Sequence, residues 1–277
     1  GIKQAIMPMI ILTCLASKLS NKQVIWVEDR LEHLTAASSA TGRLTKLRAS
    51  INERGLIEAL DYDQIDDVGA YPRAPEPASL YRMHGNLSGA YKVKNIRCRN
   101  RVVLTNKTPS GLNRGFGGPQ HYFALERLVH QIAVELDLNV LDVIKVNLLE
   151  KKQFQYKSPS GALLDSGDFQ KLVRKVVKSS TYKNILKKKN NAIKNGKIYG
   201  IGYSAIIEPS ISNMGYVTTA LPYKDREKTG HKGGALASTS VSIGPTGSVY
   251  VTCDSLPQGQ GHKTILCQIV ADVFGIK

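Results

Sequence analysis

Arg114-Gly115-Phe116-Gly117-Gly118-Pro119-Gln120 runs directly into an apolar-periodic stretch from Tyr122 to Val134. Three glycines in four residues, Gly115 to Gly118, leave the backbone almost without Cβ atoms. A large ligand can then reach main-chain N–H groups, and positive φ costs little. Pro119 and Gln120 open the periodic run, so the loop is predicted to feed a helix N-terminus. Orphan N–H groups and the helix dipole favour an anion there. A bare turn needs neither Arg114 nor Phe116, whereas a site for an anionic or planar group uses both.

A second stretch repeats the pattern. Gln258-Gly259-Gln260-Gly261-His262-Lys263-Thr264 again frees the backbone with glycines just before a helix. Gln258 and Gln260 donate and accept hydrogen bonds, and His262 and Thr264 add donors at the helix start. Taken singly, such a loop reads as a glycine turn between strand and helix. Two in one chain, each loaded with polar groups, point to a ligand. Gly1-Ile2-Lys3, ahead of the first helix, carries weight only as the tail of a third such loop.

Around these loops the chain reads as an α+β protein: mixed sheets with packed helices. It has 277 residues, enough for a sizeable core, and 42% hydrophobic residues, which excludes a disordered chain. Gln4–Leu19 is expected as a buried helix, with Cys14 a small core residue. Lys22–Val27 is expected as a strand and Glu28–Ala37 as its polar continuation. Arg43–Ser50 and Gly55–Ile65 form a hairpin around Asn52-Glu53-Arg54-Gly55. Tyr71–Pro77 is a loop and Tyr91–Leu104 a strand. Helices follow at Tyr122–Leu136 and at Val140–Leu148, the latter capped by Asn139, with a polar loop at Phe154–Gly161. Asp168–Lys178 and Tyr182–Lys194 are helices, closed by Asn195-Gly196. From Lys197 the character changes. Strands are expected at Lys197–Glu208, Tyr216–Leu221, Ala235–Ile243 and Ser248–Cys253, then a helix at Lys263–Phe274. The Lys-rich run therefore separates a domain at 1–186 from a second at 197–277. The opening Gly and the helix-like ending suggest that both ends are cut from something longer.

The net charge is +16. The basic residues are dispersed outside 187–197, and aromatic residues are too few for base-stacking platforms. A solubility surface or an acidic partner subunit explains the charge better than nucleic acid. The four cysteines show no CxxC spacing, so this chain by itself is expected to hold no zinc or iron–sulfur cluster, and nothing requires disulfides. The apolar segment Ala5–Ala16 is too short for a bilayer. These features place the chain in the cytoplasm, without a membrane. Asp66-Asp67 suits a metal, although paired acids more often decorate a surface. Glu208 suits a general base, although a solvated turn explains it as well. Arg82 and Arg97 suit an anionic substrate, or surface pairing with acids. His130 fits a helix face better than a metal.

The two glycine loops resemble the molybdopterin-contacting loops of the xanthine oxidase / aldehyde oxidoreductase family, the molybdenum hydroxylases. Supporting stretches are Val24 to Arg30 with Glu32-His33-Leu34, Gly69-Ala70-Tyr71, and Glu208-Pro209-Ser210 with Asn213-Met214-Gly215. Essentially the whole chain is covered. The resemblance implies two molybdopterin-binding domains, the first without its start and the second without its end. It implies a molybdenum centre on a pterin, as the cytosine dinucleotide in prokaryotes, and hydroxylation of an aldehyde or heterocycle carbon with water-derived oxygen. Electrons leave through [2Fe-2S] clusters and FAD on an iron–sulfur subunit and a FAD subunit.

Residue by residue, Arg114 resembles an arginine beside the substrate channel and Phe116 a phenylalanine against the substrate ring. Gly115, Phe116 and Gly117 lie on the metal side. Gln258, Gly259, Gln260, Gly261, His262 and Thr264 resemble the pterin cradle, and Gly1 the last glycine of a further loop. Copper-containing carbon monoxide dehydrogenases carry Cys after the loop arginine; Gly115 stands there, which disfavours copper. The family's catalytic glutamate falls beyond Lys277 and its hammerhead-like segment before Gly1, so the chain alone is expected to be inactive. An aldehyde-oxidising subunit is the leading expectation. An N-heterocycle or xanthine-type hydroxylase, and a non-catalytic fragment, are the alternatives.

Overall fold

The computed structural model describes residues 7–40, 42–72, 82–111, 113–115, 117–207, 223–226, 238–257 and 259–276. Outside these fall Gly1, Phe116, Gln258, the stretch Glu208–Tyr216, the strand expected at Tyr216–Leu221 and most of the loop at Tyr71–Pro77. The described residues form two compact units, one holding 7–207 and 223–226, the other 238–276.

The first unit is organised by the expected hairpin. The Asn52 side chain accepts from Arg54 N (3.0 Å) and Leu56 N (3.1 Å), and Gly55 takes φ 74°. That Asx turn joins β1 (Gly42–Ile51) to β2 (Ile57–Asp67) in antiparallel register, with Arg48 opposite Asp61. β3 (Asn95–Val103) adds on the other side of β2, parallel to it. Side chains alternate between the two faces of a strand. On the outer face Asp61 takes Arg97 and Arg48, Asp63 takes Arg101, and Asp67 takes Lys107. The paired guanidiniums hold the Asp61 carboxyl well below its ordinary range. On the inner face Leu60, Tyr62, Gln64 and Asp66 are buried in turn. That face is apolar at one end and polar at the other.

Two helices cover it. α3 (Gly118–Glu135) buries Leu125, Val129, Ile132 and Ala133, and α4 (Val140–Asn147) buries Val143 and Ile144. Each such aliphatic side chain contributes about 1.5–3 kcal/mol when fully buried. Asn139 caps α4, its side chain accepting from Leu141 N. Buried Asn147 ties helix to hairpin: its amide donates to Gly55 O (2.7 Å) and Val143 O (2.8 Å) and accepts from Ile57 N (2.7 Å). α3 starts at the polar end of β2, where the His121 ring lies 5.7 Å from that of Tyr62. It ends near Gly55, where an added Cβ would sit 3.4 Å from Ile132.

β4 (Tyr156–Lys157), inside the loop expected at Phe154–Gly161, pairs with β5 (Leu163–Leu164), just beyond it, in a two-residue ladder. The helical hairpin α5 (Phe169–Lys178) and α6 (Ser180–Lys194) follows, with Asp168 and Ser179 as its N-caps, and then the one-turn helix α7 (Tyr223–Arg226). Between Phe169 and Ile207 stand Lys171, Arg174, Lys175, Lys178, Lys183, Lys187, Lys188, Lys189, Lys194 and Lys197, without one Asp or Glu.

Several expectations are corrected. α1 (Met7–Ser20) is helical, yet none of its residues is buried and Cys14 is exposed. Apolarity demands a cover, but no described element packs broadly on this helix. Lys22–Val27 pairs with no described strand. Within Glu28–Ala37 lies α2 (Arg30–Ala36), started by a capping box in which Asp29 accepts from Glu32 N and Glu32 accepts from Asp29 N. The D-x-x-E spacing was visible in the sequence. The second unit, by itself, is a hairpin of β6 (Thr239–Ile243) and β7 (Val249–Cys253) followed by α8 (His262–Phe274).

Candidate functional site

The Arg114 loop does feed a helix. Gly118 N donates to Gly115 O (2.8 Å), closing the turn. Gly115 sits at φ 107°, and an added Cβ would lie 2.9 Å from Pro119 Cδ. Gly117 is the N-cap of α3, left-handed at φ 80°, and makes no side-chain cap bond. Most helices satisfy their first N–H groups with a Ser, Thr, Asp or Asn side chain. Here glycine supplies the backbone conformation and no side-chain acceptor of its own, which suits an anion at the dipole's positive end. Arg114 is exposed beside that end.

Under the loop the sheet's polar end is buried. Arg43 and Asp66 form a bidentate pair (2.6 and 2.9 Å), and Asn100 donates to Asp66 (2.7 Å). Asp66 is therefore a structural counter-ion, and Asp67 accepts from Lys107, Thr105 and Gly69 N. Neither acid of the Asp66-Asp67 pair serves a metal. His121, in the first turns of α3, is fully buried, and among the described residues neither ring nitrogen has a hydrogen-bond partner. Burial first, then the charges of Arg43 and His84, push its pKa down to about 3. Burial likewise pushes the Cys98 thiol up to about 11.

Beside the loop is a cleft of about 660 Å³. Its floor is α3, with Gly115, Pro119, Phe123 and Arg127; its far wall is the extended segment 201–207. Lys197–Glu208 was expected as a sheet strand. The chain is extended there, but its described partners are side chains of α3. Tyr122 donates to Ile207 O, Glu126 accepts from Ala205 N (3.0 Å), and His130 Nε2 lies 2.7 Å from Tyr203 O. Glu126 also accepts from buried Tyr91 on both oxygens (3.0 Å each). Burial raises its pKa above the ordinary 4.5, and those donors only partly oppose the rise. This ladder was not read from the sequence. Its signal was three polar or aromatic side chains, Tyr122, Glu126 and His130, at i, i+4 and i+8.

The second loop behaves like the first. Gly259 takes φ 96°, and Gly261 is the left-handed N-cap of α8 at φ 76°, with no side-chain cap bond and open space where a Cβ would stand. Gln260 and Thr264 are exposed, and His262 Nδ1 lies 3.3 Å from Ser255 Oγ. Each loop is a set within its own unit. Arg97 is committed to Asp61 through both Nε and Nη2 (2.7 Å each), so it is a sheet residue and not a substrate ligand. Among the described residues no group of three His, Cys, Asp or Glu is placed to hold a metal. None of the described helices is long and apolar enough to cross a membrane.

Comparisons with known proteins identify the family and its cofactor. The molybdopterin cofactor-binding domain models match residues 1–148 and 175–277. The chain belongs to this family, that of the molybdenum hydroxylase large subunits, whose members are oxidoreductases. It is 28% identical over 279 residues to the nicotine 6-hydroxylase large subunit of Paenarthrobacter nicotinovorans, covering 100% of this chain and 33% of that protein. It is 28% identical to the carbon monoxide dehydrogenase large chain of Hydrogenophaga pseudoflava, covering 100% of this chain and 34% of that one. Quinoline 2-oxidoreductase from Pseudomonas putida 86 superposes with a TM-score of 0.75 at 28% identity, covering 96% of this chain and 33% of the other. The chain spans about a third of the length of these relatives. Within the second unit, the main-chain N–H groups of His262, Lys263 and Thr264 at the start of α8 carry no hydrogen bond among the described residues, which suits a phosphate or the polar ring edge of a molybdopterin.

Proposed function

We propose that this chain supplies two cofactor-contacting loops of the large subunit of a molybdenum hydroxylase. The observation that carries this reading is the pair of left-handed glycine N-caps, Gly117 and Gly261, each opening a helix without a side-chain acceptor. When bound, the molybdenum–molybdopterin supplies the redox centre at which oxygen from water is inserted. In this reading Gly115, Phe116 and Gly117 line the metal side, while Gln258, Gly259, Gln260, Gly261, His262, Thr264 and Gly1 hold the pterin. Arg114 stands where developing negative charge on the substrate is stabilised, and Phe116 packs on its ring. The two molybdopterin-binding domains span 1–186 and 197–277. The cofactor is the cytosine dinucleotide form, and electrons pass to [2Fe-2S] and FAD on partner subunits in the cytoplasm.

The substrate is an aldehyde or an N-heterocycle carbon. The names of the nicotine and quinoline relatives support the heterocycle. The test is molybdenum and pterin content, with a substrate panel, of the complete complex that contains this chain. Gly115→Ala places a Cβ against Pro119 and strains a φ of 107°; it is expected to lower cofactor content ~10-fold or more. A complex devoid of pterin, or one indifferent to Gly115→Ala and Gly261→Ala together, refutes the assignment. Turnover of heterocycles alone removes the aldehyde reading.

A further inference from the structure

We infer that Tyr122, Glu126 and His130 are positioning residues: a rail on α3 that fixes the register of residues 203–207, and with it the point where the chain leaves Ile207 beside the glycine loop. The three contacts pair Tyr122 with 207, Glu126 with 205 and His130 with 203. Four helical residues rise about 6 Å, and two extended residues about 6.6 Å. Side chains at every fourth helical position therefore meet main-chain groups at every second extended position. In an extended chain the N–H and C=O of alternate residues point to opposite edges. Residues 203, 205 and 207 turn theirs to α3. Among the described residues, the main-chain groups of Gly202, Ser204 and Ile206 carry no hydrogen bond. Among the described residues no sheet neighbour pairs with this segment; Tyr182 meets the Tyr203 hydroxyl (3.2 Å) and the core packs against Tyr203, Ala205 and Ile207, while the rail supplies the main-chain ties that select its register.

The consequence is directional. Tyr122 lies four residues into α3, about 6 Å from its start, so Ile207 is held close to the helix end that carries Gly115 and Gly117. A one-residue slip turns the wrong edge to the helix and moves every side chain to the other face. A two-residue slip keeps the edge but displaces the exit by about 6.6 Å, more than any hydrogen bond to a neighbouring loop tolerates. Buried Glu126 is the central tie, because Tyr91 fixes its carboxylate from the sheet side. The purpose assigned to the rail rests on the reading that the Arg114 loop forms a cofactor wall; the rail itself does not depend on any cofactor.

Residue-resolved amide exchange on the full chain tests it. The amide of Ala205, which donates to Glu126, is expected to exchange ~100-fold slower than those of Gly202, Ser204 and Ile206. Glu126→Ala is expected to release Ala205, and Glu126→Gln to retain it, because the amide oxygen still accepts that N–H. A nitroxide on Ile206→Cys, with the native cysteines replaced, reads the register. It is expected to broaden amides in the first two turns of α3 and spare those at Ile132–Glu135, a polarity that Glu126→Ala weakens. Uniform exchange along 202–206, or equal broadening at both ends of α3, overturns the inference. A chain that shows the alternation while its complete complex lacks pterin refutes the proposed function and leaves the rail standing.

Discussion

His121→Leu is expected to remove an acid sensitivity that the fold carries in its core. The imidazole is fully buried, its nitrogens find no partner among the described residues, and its pKa falls from 6.5 to about 3. Below pH 6.5 the unfolded chain protonates this ring and the folded chain does not. The unfolded state then binds more protons, so stability falls as pH drops from 6.5 towards 3 and is fully present above 6.5. At 1.36 kcal/mol per pH unit the whole window is worth on the order of 5 kcal/mol, and the interval from pH 7 to 4.5 about 2.7 kcal/mol. Leucine has similar bulk and no nitrogen to leave unsatisfied, so at pH 7 the variant is expected to match or exceed the parent by about 1 kcal/mol. Urea unfolding of both proteins at pH 7 and pH 4.5 gives the comparison. Glu126 and the surface carboxylates titrate in both proteins and cancel in the double difference. If both proteins change equally between the two pH values, or if His121→Leu loses more than about 2 kcal/mol at pH 7, the ring is hydrogen-bonded in solution and the reasoning fails.

Asn147→Ala strips three buried hydrogen bonds and strands Ile57 N–H and Gly55 C=O. A loss of about 2–4 kcal/mol in urea unfolding is expected, and a loss under 1 kcal/mol contradicts the tie between α4 and the hairpin. Asp66→Ala leaves the Arg43 charge without its buried counter-ion and is expected to cost about 3–5 kcal/mol, whereas Arg43→Leu with Asp66→Leu recovers most of it. A double variant as unstable as the single one would show that the pair's geometry, not its desolvated charge, is what matters.

Local chemistry made the loops and the hairpin legible. Glycine density before an apolar period announced the starts of α3 and α8, and Asn52 to Gly55 announced the turn. What was not legible depended on distant partners. α1 reads as buried because Ile10, Ile11 and Leu15 are apolar, but nothing in that run says what covers it. The 201–207 segment alternates as a strand does, yet its pairing is with α3 side chains about 80 residues away. Asp66 looks like surface charge until β1 brings Arg43 across the sheet. Arg97 looks available until Asp61 takes both of its donor groups.

The acid-free stretch from Phe169 to Ile207 gives the molecule a permanent electrical orientation. On the sheet, acids on β2 neutralise the arginines and lysines around them. On α5 and α6 nine cations stand unbalanced in sequence, with Lys197 just beyond, and all but Lys189 are exposed. A negatively charged wall within a Debye length, about 8 Å at physiological salt, pulls strongly on that hairpin. On a cation exchanger this hairpin is therefore expected to be a strong point of attachment.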